Sequence, residues 1–536
     1  MTEERCIVTF EPMGDRVEVA AGVTLRAAAA LARVSLPTPC GGLGACGGCA
    51  VQAAGSLEPP GADEVVLLSS EAIGRGVRIA CRARVSGDVV VHPLRAVPPA
   101  ELRIVETGDL GEVSVEPPER RALFGPEPLV GAAVDLGTTT IVVALVDLRT
   151  GETLASASAL NPQHPFGHDV LSRISHAAAS GVDALRQPVV GTIEDLALGL
   201  LQNAGLDVDH LREVAVAGNT TMLHILLGFD PAPLGAAPYE PVRLDALDRP
   251  ASAIGLSRLG TAGAYVLPGI SAFLGADITA GLLTTRLAER EEPTLFVDLG
   301  TNGEIVLRAG GRFVGASTAA GPALEGASIE YGMRAETGAI ERVSLDGASL
   351  VLGTIGDAPP AGICGSGLID LVGVLLESGV VDRAGLMHAD AAHPLAARVS
   401  TRDGVRVFEV AEEVYLTQRD IRQVQLASAA VATGIGLLLE SAGISPAQVT
   451  DVVVAGGFGF HVRADALARM GMVPQTWRDR VTYAGNSSIA GTTRALLDSG
   501  QRRLAGAIAH HVETLDLAAH PEFQERFIRA LEFPAS

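Results

Sequence analysis

Short apolar and β-branched runs open the chain. Residues 5–10 (RCIVTF) and 16–19 (RVEV) predict two strands around a turn at Met13-Gly14-Asp15. Residues 24–33 (TLRAAAALAR) predict a helix with Thr24 as its cap. A loop rich in glycine and cysteine follows at 40–49, and the run from Val85 to Val91 predicts the strand that closes this unit. Pro-rich text then extends from Pro93 through Pro128, with Pro98-Pro99 and Pro117-Pro118 inside it. This predicts an ordered or semi-rigid linker of about 30 residues.

Beyond the linker the pattern changes. Apolar runs at 141–146 (IVVALV), 213–217 (EVAVA), 294–298 (TLFVD) and 451–455 (DVVVA) predict strands, and Ala- and Leu-rich helical stretches alternate with them. One echo stands out: VDLGTTTIVVALVDLRTGE at 134–152 and VDLGTNGEIVLRAGGR at 297–312. Each reads as a strand, an aspartate, a Gly-Thr turn, a second strand and a hairpin turn. A repeat of this size predicts two related halves. The expected divisions are 1–95, the linker 96–128, a first half 129–292 and a second half 293–536.

Composition narrows the function. Of 536 residues 48% are hydrophobic but only 4% aromatic, so the core must be built from Ala, Val, Leu and Ile. No window reaches 18 apolar residues without a charge or turn signal, which predicts no transmembrane helix. The first ten residues carry acids and no apolar core of a signal peptide, so the cytoplasm is the expected compartment. The net charge of -22 disfavours nucleic acid as a partner. Residues 1–95 hold ten acids and nine bases, so nearly all of the excess lies beyond them. All 40 bases are arginine. Without lysine, a Walker P-loop, a protein kinase and a pyridoxal Schiff base are all excluded.

Cys40, Cys46 and Cys49 are spaced C-x5-C-x2-C, with Cys81 downstream. Four thiolates of this kind suit the two irons of a 2Fe–2S cluster, and the intervening glycines let backbone wrap closely around it. A structural zinc site would pair two C-x2-C knuckles, and Cys81 has no paired neighbour. Cys6 and Cys364 are left as buried thiols. Arg75, Arg78, Arg82 and Arg84 surround Cys81 in sequence. They read either as a solvated surface or as a docking patch for an acidic electron partner.

The echoed turns carry the second chemistry. Asp135 precedes Gly137, Thr138, Thr139 and Thr140; Asp298 precedes Gly300, Thr301, Asn302 and Gly303. Facing hairpins of this kind cradle phosphates with Gly-Thr backbone and hydroxyls, while each aspartate reaches a hydrated metal ion. A third strand ends in Gly456, Gly457 and Gly459, where bare backbone can approach adenosine. A Rossmann reading fails, because Val462 stands where the third glycine belongs. Glu325, on a Gly-rich turn, fits both the positioning of an attacking water and a structural role; it is not counted as catalytic. His164 and His168 read either as ligands or proton shuttles or as loop residues.

These motifs resemble the superfamily of actin, sugar kinases, acetate kinase and the seventy-kilodalton heat-shock chaperones. Asp135 to Thr140 matches its first phosphate motif, Asp298 to Gly303 its second, and Gly456 to Gly459 its adenosine motif. The fused order of 2Fe–2S domain, linker and ATPase body is similar to the reductive activators of corrinoid-dependent enzymes. AVAGNTTM, AGPALEG and ICGSGLID read like stretches of those proteins. The resemblance implies a β-grasp ferredoxin-like domain joined to a duplicated α/β body of ribonuclease-H-like halves. It implies ATP and Mg²⁺ beside the cluster, with Asp135 and Asp298 as catalytic residues. It implies passage of one electron from the cluster to Co(II), regenerating Co(I) in a corrinoid protein or cobalamin-dependent methyltransferase. No flavin or nicotinamide motif is evident, so an external protein must donate the electron; a homodimer stays open. The chaperones' lysine near the γ-phosphate has no counterpart here, and an arginine would have to replace it. A plain 2Fe–2S carrier with a scaffold body, a redox-sensing small-molecule kinase and a redox-sensing regulatory module remain as alternatives.

Overall fold

The computed structural model describes residues 5–12, 14–32, 34, 36, 49–68, 70–93, 106–108, 115, 128–167, 169–326, 328–456 and 462–534. Two compact units divide the chain: Met1–Ala100 with Pro162–Gly181, and Glu101–Asn161 with Val182–Ser536.

In the first unit, β1 (Arg5–Phe10), β2 (Asp15–Ala20), β3 (Ala50–Leu57), β4 (Val77–Ile79) and β5 (Val85–Pro93) form one sheet in the order β2-β1-β5-β3-β4. β1 and β5 run parallel and the other pairs antiparallel. Alternation sets the faces: Cys6, Val8 and Phe10 point inward, while Ile7 is 45% exposed. The helix Leu25–Leu31 lays Leu25, Ala28 and Ala29 on the buried face, and the Thr24 hydroxyl caps it by accepting from the Ala27 amide at 3.2 Å. This is the β-grasp arrangement expected of residues 1–95.

The second unit holds two sheets of the same design. β6 (Val130–Leu136), β7 (Thr140–Asp147) and β8 (Thr153–Leu160) form an antiparallel meander. β9 (Leu211–Gly218) pairs parallel with β6, and β10 (Leu247–Pro250) and β11 (Gly263–Val266) complete the order β10-β11-β9-β6-β7-β8. In the later half, β12 (Thr294–Leu299), β13 (Gly303–Ala309) and β14 (Arg312–Thr318) repeat the meander. Two small sheets follow: β15 (Ala339–Asp346), β16 (Ser349–Thr354) and β17 (Gly362–Ile363), then β18 (Val399–Arg402), β19 (Val405–Ala411) and β20 (Val414–Thr417). β21 (Asp451–Ala455), β22 (Val481–Gly485) and β23 (Val512–Thr514) close the large sheet as β22-β21-β12-β13-β14-β23. The shared order β8-β7-β6-β9-β11 and β14-β13-β12-β21-β22 is the structural form of the sequence echo.

Two helices join the halves. Ala276–Thr284 follows β11, and Ser487–Leu497 follows β22; they cross at small residues. A Cβ on Gly491 would lie 1.9 Å from the Ala280 carbonyl oxygen, and one on Gly281 would lie 2.6 Å from the Phe296 ring. The Thr284 hydroxyl donates to the Ser487 carbonyl at 2.9 Å. Among the described residues one helix, Gln418–Ser441, is long and apolar enough to cross a membrane by length and composition. It is 72% buried over its most apolar window and packs on β13 and β14, so its apolar length is that of a core helix.

Candidate functional site

Cys49 and Cys81 are brought to one place by strand pairing. Cys49 immediately precedes β3 and Cys81 follows β4; Ala50 pairs with Ile79, and the Ala80 amide donates to the Cys49 carbonyl at 3.0 Å. Both cysteines are buried in the domain's apolar core, at 1% and 8% exposure. Cys40 and Cys46 lie outside the described residues. The two described cysteines fit the ligand role assigned to them, because the pairing delivers both to the same end of the sheet.

The strand just before Cys81 is pinned by a buried ion pair. Arg78 donates to Glu64 through Nε at 3.0 Å and Nη2 at 2.8 Å, and the Ile79 amide adds 2.9 Å. Burial alone would raise the Glu64 pKa. Arg78 and the amides of Ile79 and Gly61 outweigh it and hold the carboxyl below its usual range. Arg78 is therefore consumed inside the fold and belongs to no surface patch. Arg75, Arg82 and Arg84 are exposed. A cleft of about 270 Å³ lined by Glu58, Pro59, Gly61, Glu64, Arg82 and Arg84 reaches Cys81.

The echoed hairpins share a glycine that closes the turn through its amide, though over different spans. In the first, the Gly137 amide donates to the Thr140 carbonyl at 2.9 Å; in the second, Gly300 donates to Asn302 at 2.8 Å. A Cβ on Gly137 would come 2.9 Å from the Thr140 oxygen, and one on Gly303 would meet Thr318 Oγ1 at 2.7 Å. Asn161 and Asn219 support the first turn from outside, donating to the Gly137 carbonyl and to Thr138 Oγ1, each at 2.8 Å. Asn219 also caps the helix Thr220–Leu227 through the Met222 amide at 3.0 Å. The segment VAGNTTM thus holds the first hairpin through Asn219.

Gly456 has an echo as well. A Cβ there would lie 2.3 Å from the Leu299 oxygen and 2.9 Å from Asp298 Oδ1, at φ +113°. A Cβ on Gly218, at the end of β9, would lie 2.5 Å from the Leu136 oxygen. Each half therefore needs a glycine where its fourth strand passes the end of its first. Gly457 and Gly459 lie outside the described residues, as does His168. His164 lies in the turn His164–Phe166, whose loop is tied by Arg173 to Gln163 at 2.9 Å and to the Gly167 carbonyl at 3.0 Å.

Asp135 and Asp298 end the first strand of each half, and the joining helices meet them differently. Asn486 and Ser488, the cap and second residue of Ser487–Leu497, donate to Asp135 at 2.9 and 2.7 Å. The equivalent positions on Ala276–Thr284 are Gly275 and Asp277. Asp298 therefore faces a carboxylate where Asp135 faces two donors. Burial raises the Asp135 pKa against the pull of Ser488 and Asn486. Burial pushes Asp277 up to about 7, with Asp135 adding to the rise. Burial followed by Asp277 and Asp135 pushes Asp298 up to about 7. Glu304 is raised well above its usual value by burial and then by Asp298 and Asp277. These carboxyls share one field and cannot all ionise cheaply without a cation.

Asp277 and Glu304 are the site residues that the motifs did not announce. Asp277 is an acid in the first turn of an otherwise apolar helix, and that isolation was its available signal. Among the described residues no three His, Cys, Asp or Glu side chains are grouped to ligate one metal directly. An all-oxygen set of this kind suits Mg²⁺, which keeps several waters and is held through them.

Residues 8–86 match the 2Fe–2S iron–sulfur cluster binding domain. Residues 130–290 match the RACo middle region, and residues 292–536 match the C-terminal domain of RACo, the ASKHA domain. The corrinoid activation enzyme RamQ of Eubacterium limosum is 33% identical over 422 residues, covering 75% of this chain and 70% of the relative. A [Co(II) methylated amine-specific corrinoid protein] reductase of Methanosarcina barkeri is 27% identical over 405 residues, 70% and 71% of the two chains. The solved structure of a reductive activator for corrinoid, iron–sulfur protein superposes with a TM-score of 0.70 at 29% identity, covering 99% of this chain and 98% of that one.

Proposed function

The chain belongs to the RACo family of corrinoid activation enzymes, and from that premise we propose that it reduces Co(II) to Co(I) in a corrinoid protein or cobalamin-dependent methyltransferase, driven by Mg-ATP. The division that goes with this reading is 1–95 for electron transfer, 96–128 as tether, and 129–292 with 293–536 as the two halves of the nucleotide-binding body. A 2Fe–2S cluster, when bound, supplies the single electron.

The chain's own residues supply position and charge. Cys40, Cys46, Cys49 and Cys81 are the thiolates for the cluster, and the Glu64–Arg78 pair fixes the strand before Cys81. Thr138, Thr139, Thr140 and Thr301 offer hydroxyls to phosphate, with Gly137, Gly300, Asn302 and Gly303 shaping the turns. Asp135 and Asp298 orient the water shell of Mg²⁺, and Gly456, Gly457 and Gly459 give adenosine a bare backbone surface. Catalysis of this kind needs positioning and charge stabilisation and no covalent intermediate.

Nucleotide matters because the electron has to move uphill. For one electron, about 59 mV corresponds to about 1.4 kcal/mol. Closure of the two halves around nucleotide, relayed through the helices Ala276–Thr284 and Ser487–Leu497, would change how the partner's cobalt is held and so which state is favoured. The observation that carries the reading is geometric: Asn486 and Ser488, at the start of the later half's joining helix, donate to Asp135 of the first hairpin, so the echoed motif is held where the two halves meet. An external protein is the electron donor in this scheme.

The test follows the Co(II)-to-Co(I) absorbance change of a corrinoid protein mixed anaerobically with reduced full-length chain. Faster reduction with Mg-ATP is expected. Equal rates with and without nucleotide would leave only an electron carrier, and no cobalt reduction under either condition would remove the activator reading.

A further inference from the structure

Glu325 stands where the two phosphate hairpins meet. It ends the short turn Pro322–Glu325, entered at Gly321 (φ +77°) and left at Gly326 (φ +76°), both in the left-handed region. Pro322 restricts the first position of the turn, so the carboxylate is delivered by a stiff element. Its Oε1 accepts from the Thr301 hydroxyl at 2.8 Å. The Thr139 side chain lies close enough to act on the same carboxylate. Thr139 belongs to the first hairpin and Thr301 to the second, so one side chain spans the echo. A Cβ on Gly300 would lie 3.6 Å from Oε1, which places the carboxylate directly over the second turn.

These contacts conflict with phosphate binding. A hydroxyl has one proton to donate, and a carboxylate and a phosphate both accept it. The two anions also repel. Arg334 is a cation within the field of both Glu325 and Glu336, in a chain that has no lysine to offer.

We propose that Glu325 is a latch displaced by phosphate. Without nucleotide it ties the two hairpins together through Thr139 and Thr301. The terminal phosphate of a nucleoside triphosphate displaces it, takes both hydroxyls and pairs with Arg334. A monophosphate reaches less far and leaves the latch closed, so the site distinguishes nucleotides by competition with its own carboxylate. The inference rests on the reading of the body as an ATP site. Burial favours the neutral form of Glu325, and the contacts from Thr301, Arg334 and Thr139 oppose it.

Calorimetry on the full-length protein with Mg-ATP and with AMP tests this. Glu325→Gln keeps the shape and removes the charge; ATP affinity should rise by about tenfold and AMP affinity by less than about twofold. Glu325→Asp is one methylene short of spanning both hydroxyls and should tighten ATP by about threefold. Wild type that binds neither nucleotide would sink the ATP reading itself. Wild type that binds ATP, with both variants unchanged or with equal gains for AMP, would sink the latch alone. Where Glu325→Gln does not fold, the shorter variant decides.

Discussion

Asn486 donates its side-chain amide to Asp135 at 2.9 Å, across the boundary between the two halves. Its own Oδ1 accepts from the Ile489 amide at 3.0 Å, so one residue caps a helix of one half and holds the aspartate of the other. Asn486→Asp keeps the cap, since aspartate caps as well as asparagine, but sets two carboxylates face to face. At pH 8 the variant should lose about 1–2 kcal/mol of stability and recover most of it near pH 5. Thermal unfolding at both pH values measures this; an unchanged midpoint at pH 8 would mean that Ser488 alone holds Asp135.

The buried acidic cluster predicts a pH dependence with a definite sign. Asp277 and Asp298 rise from 3.8 to about 7, so the folded chain keeps protons that the unfolded chain releases between about pH 4 and 7. Their contribution to stability therefore falls as pH rises through that window, and the penalty is complete above it. Asp298→Asn should raise the melting midpoint of nucleotide-free protein at pH 8 and by less at pH 5. The same variant should lose most Mg-ATP-dependent activity while keeping the cluster spectrum. A variant midpoint at pH 8 equal to or below wild type would contradict the repulsion between Asp277 and Asp298.

The helix crossing predicts a steric limit. A Cβ on Gly491 would meet backbone, the Ala280 oxygen at 1.9 Å, and backbone yields less than a flexible side chain. Gly491→Val should cost about 1–3 kcal/mol, read by chemical denaturation. It should reduce the acceleration by Mg-ATP more than the nucleotide-free rate, if the crossing helices relay closure as proposed.

Part of this arrangement was legible beforehand. The β-branched runs and the repeated VDLGT marked both meanders, and each Asp falls at a strand end as the pattern required. Asp277 was not legible, since Asp135, which acts on it, lies on a strand far away in sequence; Glu304 was closer to hand, opposite Asp298 across the second hairpin, but no motif singled it out. Arg78 shows the converse. Four arginines around Cys81 look alike in sequence, and only folding reveals that one of them meets Glu64, fourteen residues earlier, inside the core.

The cluster prediction follows from that placement. Anaerobically purified protein should hold two irons per chain and show a rhombic resonance signal after one-electron reduction. Cys49→Ser should lose or weaken the cluster, and Cys6→Ser should retain it. Glu64→Gln leaves Arg78 buried without its counter-charge and should cost about 3 kcal/mol, loosening the strand before Cys81. Zinc in place of iron would end the assignment.

The last prediction concerns the tether. Glu106 accepts hydrogen bonds from the Ser156 and Ser158 hydroxyls at 2.6 and 2.5 Å. The Thr107 carbonyl accepts from the Asn486 amide at 3.3 Å, and Gly108 pairs with Gly485. Part of the expected linker is therefore laid on the second unit, beside the residue that holds Asp135. Residues 94–105 separate Pro93 from this anchor, a contour of at most about 40 Å. If the electron passes to cobalt as proposed, this anchor limits the reach of the N-terminal domain, and Asn486 links the anchor to Asp135. Fragment 1–95 should keep its cluster and accept electrons yet fail to reduce Co(II) in a corrinoid protein, with or without Mg-ATP. Residues 129–536 added separately should restore little, because the tether supplies effective concentration. A Cβ on Gly108 would lie 2.2 Å from the Asn486 oxygen, so Gly108→Val should lift the strap. Hydrogen exchange at the Asn486 amide should then accelerate, and the ratio of cobalt reduction rates with and without Mg-ATP should fall toward one. Faster exchange with an unchanged ratio would show that the strap only fastens the chain, and full activity from fragment 1–95 would leave the fused body without a part in the electron transfer.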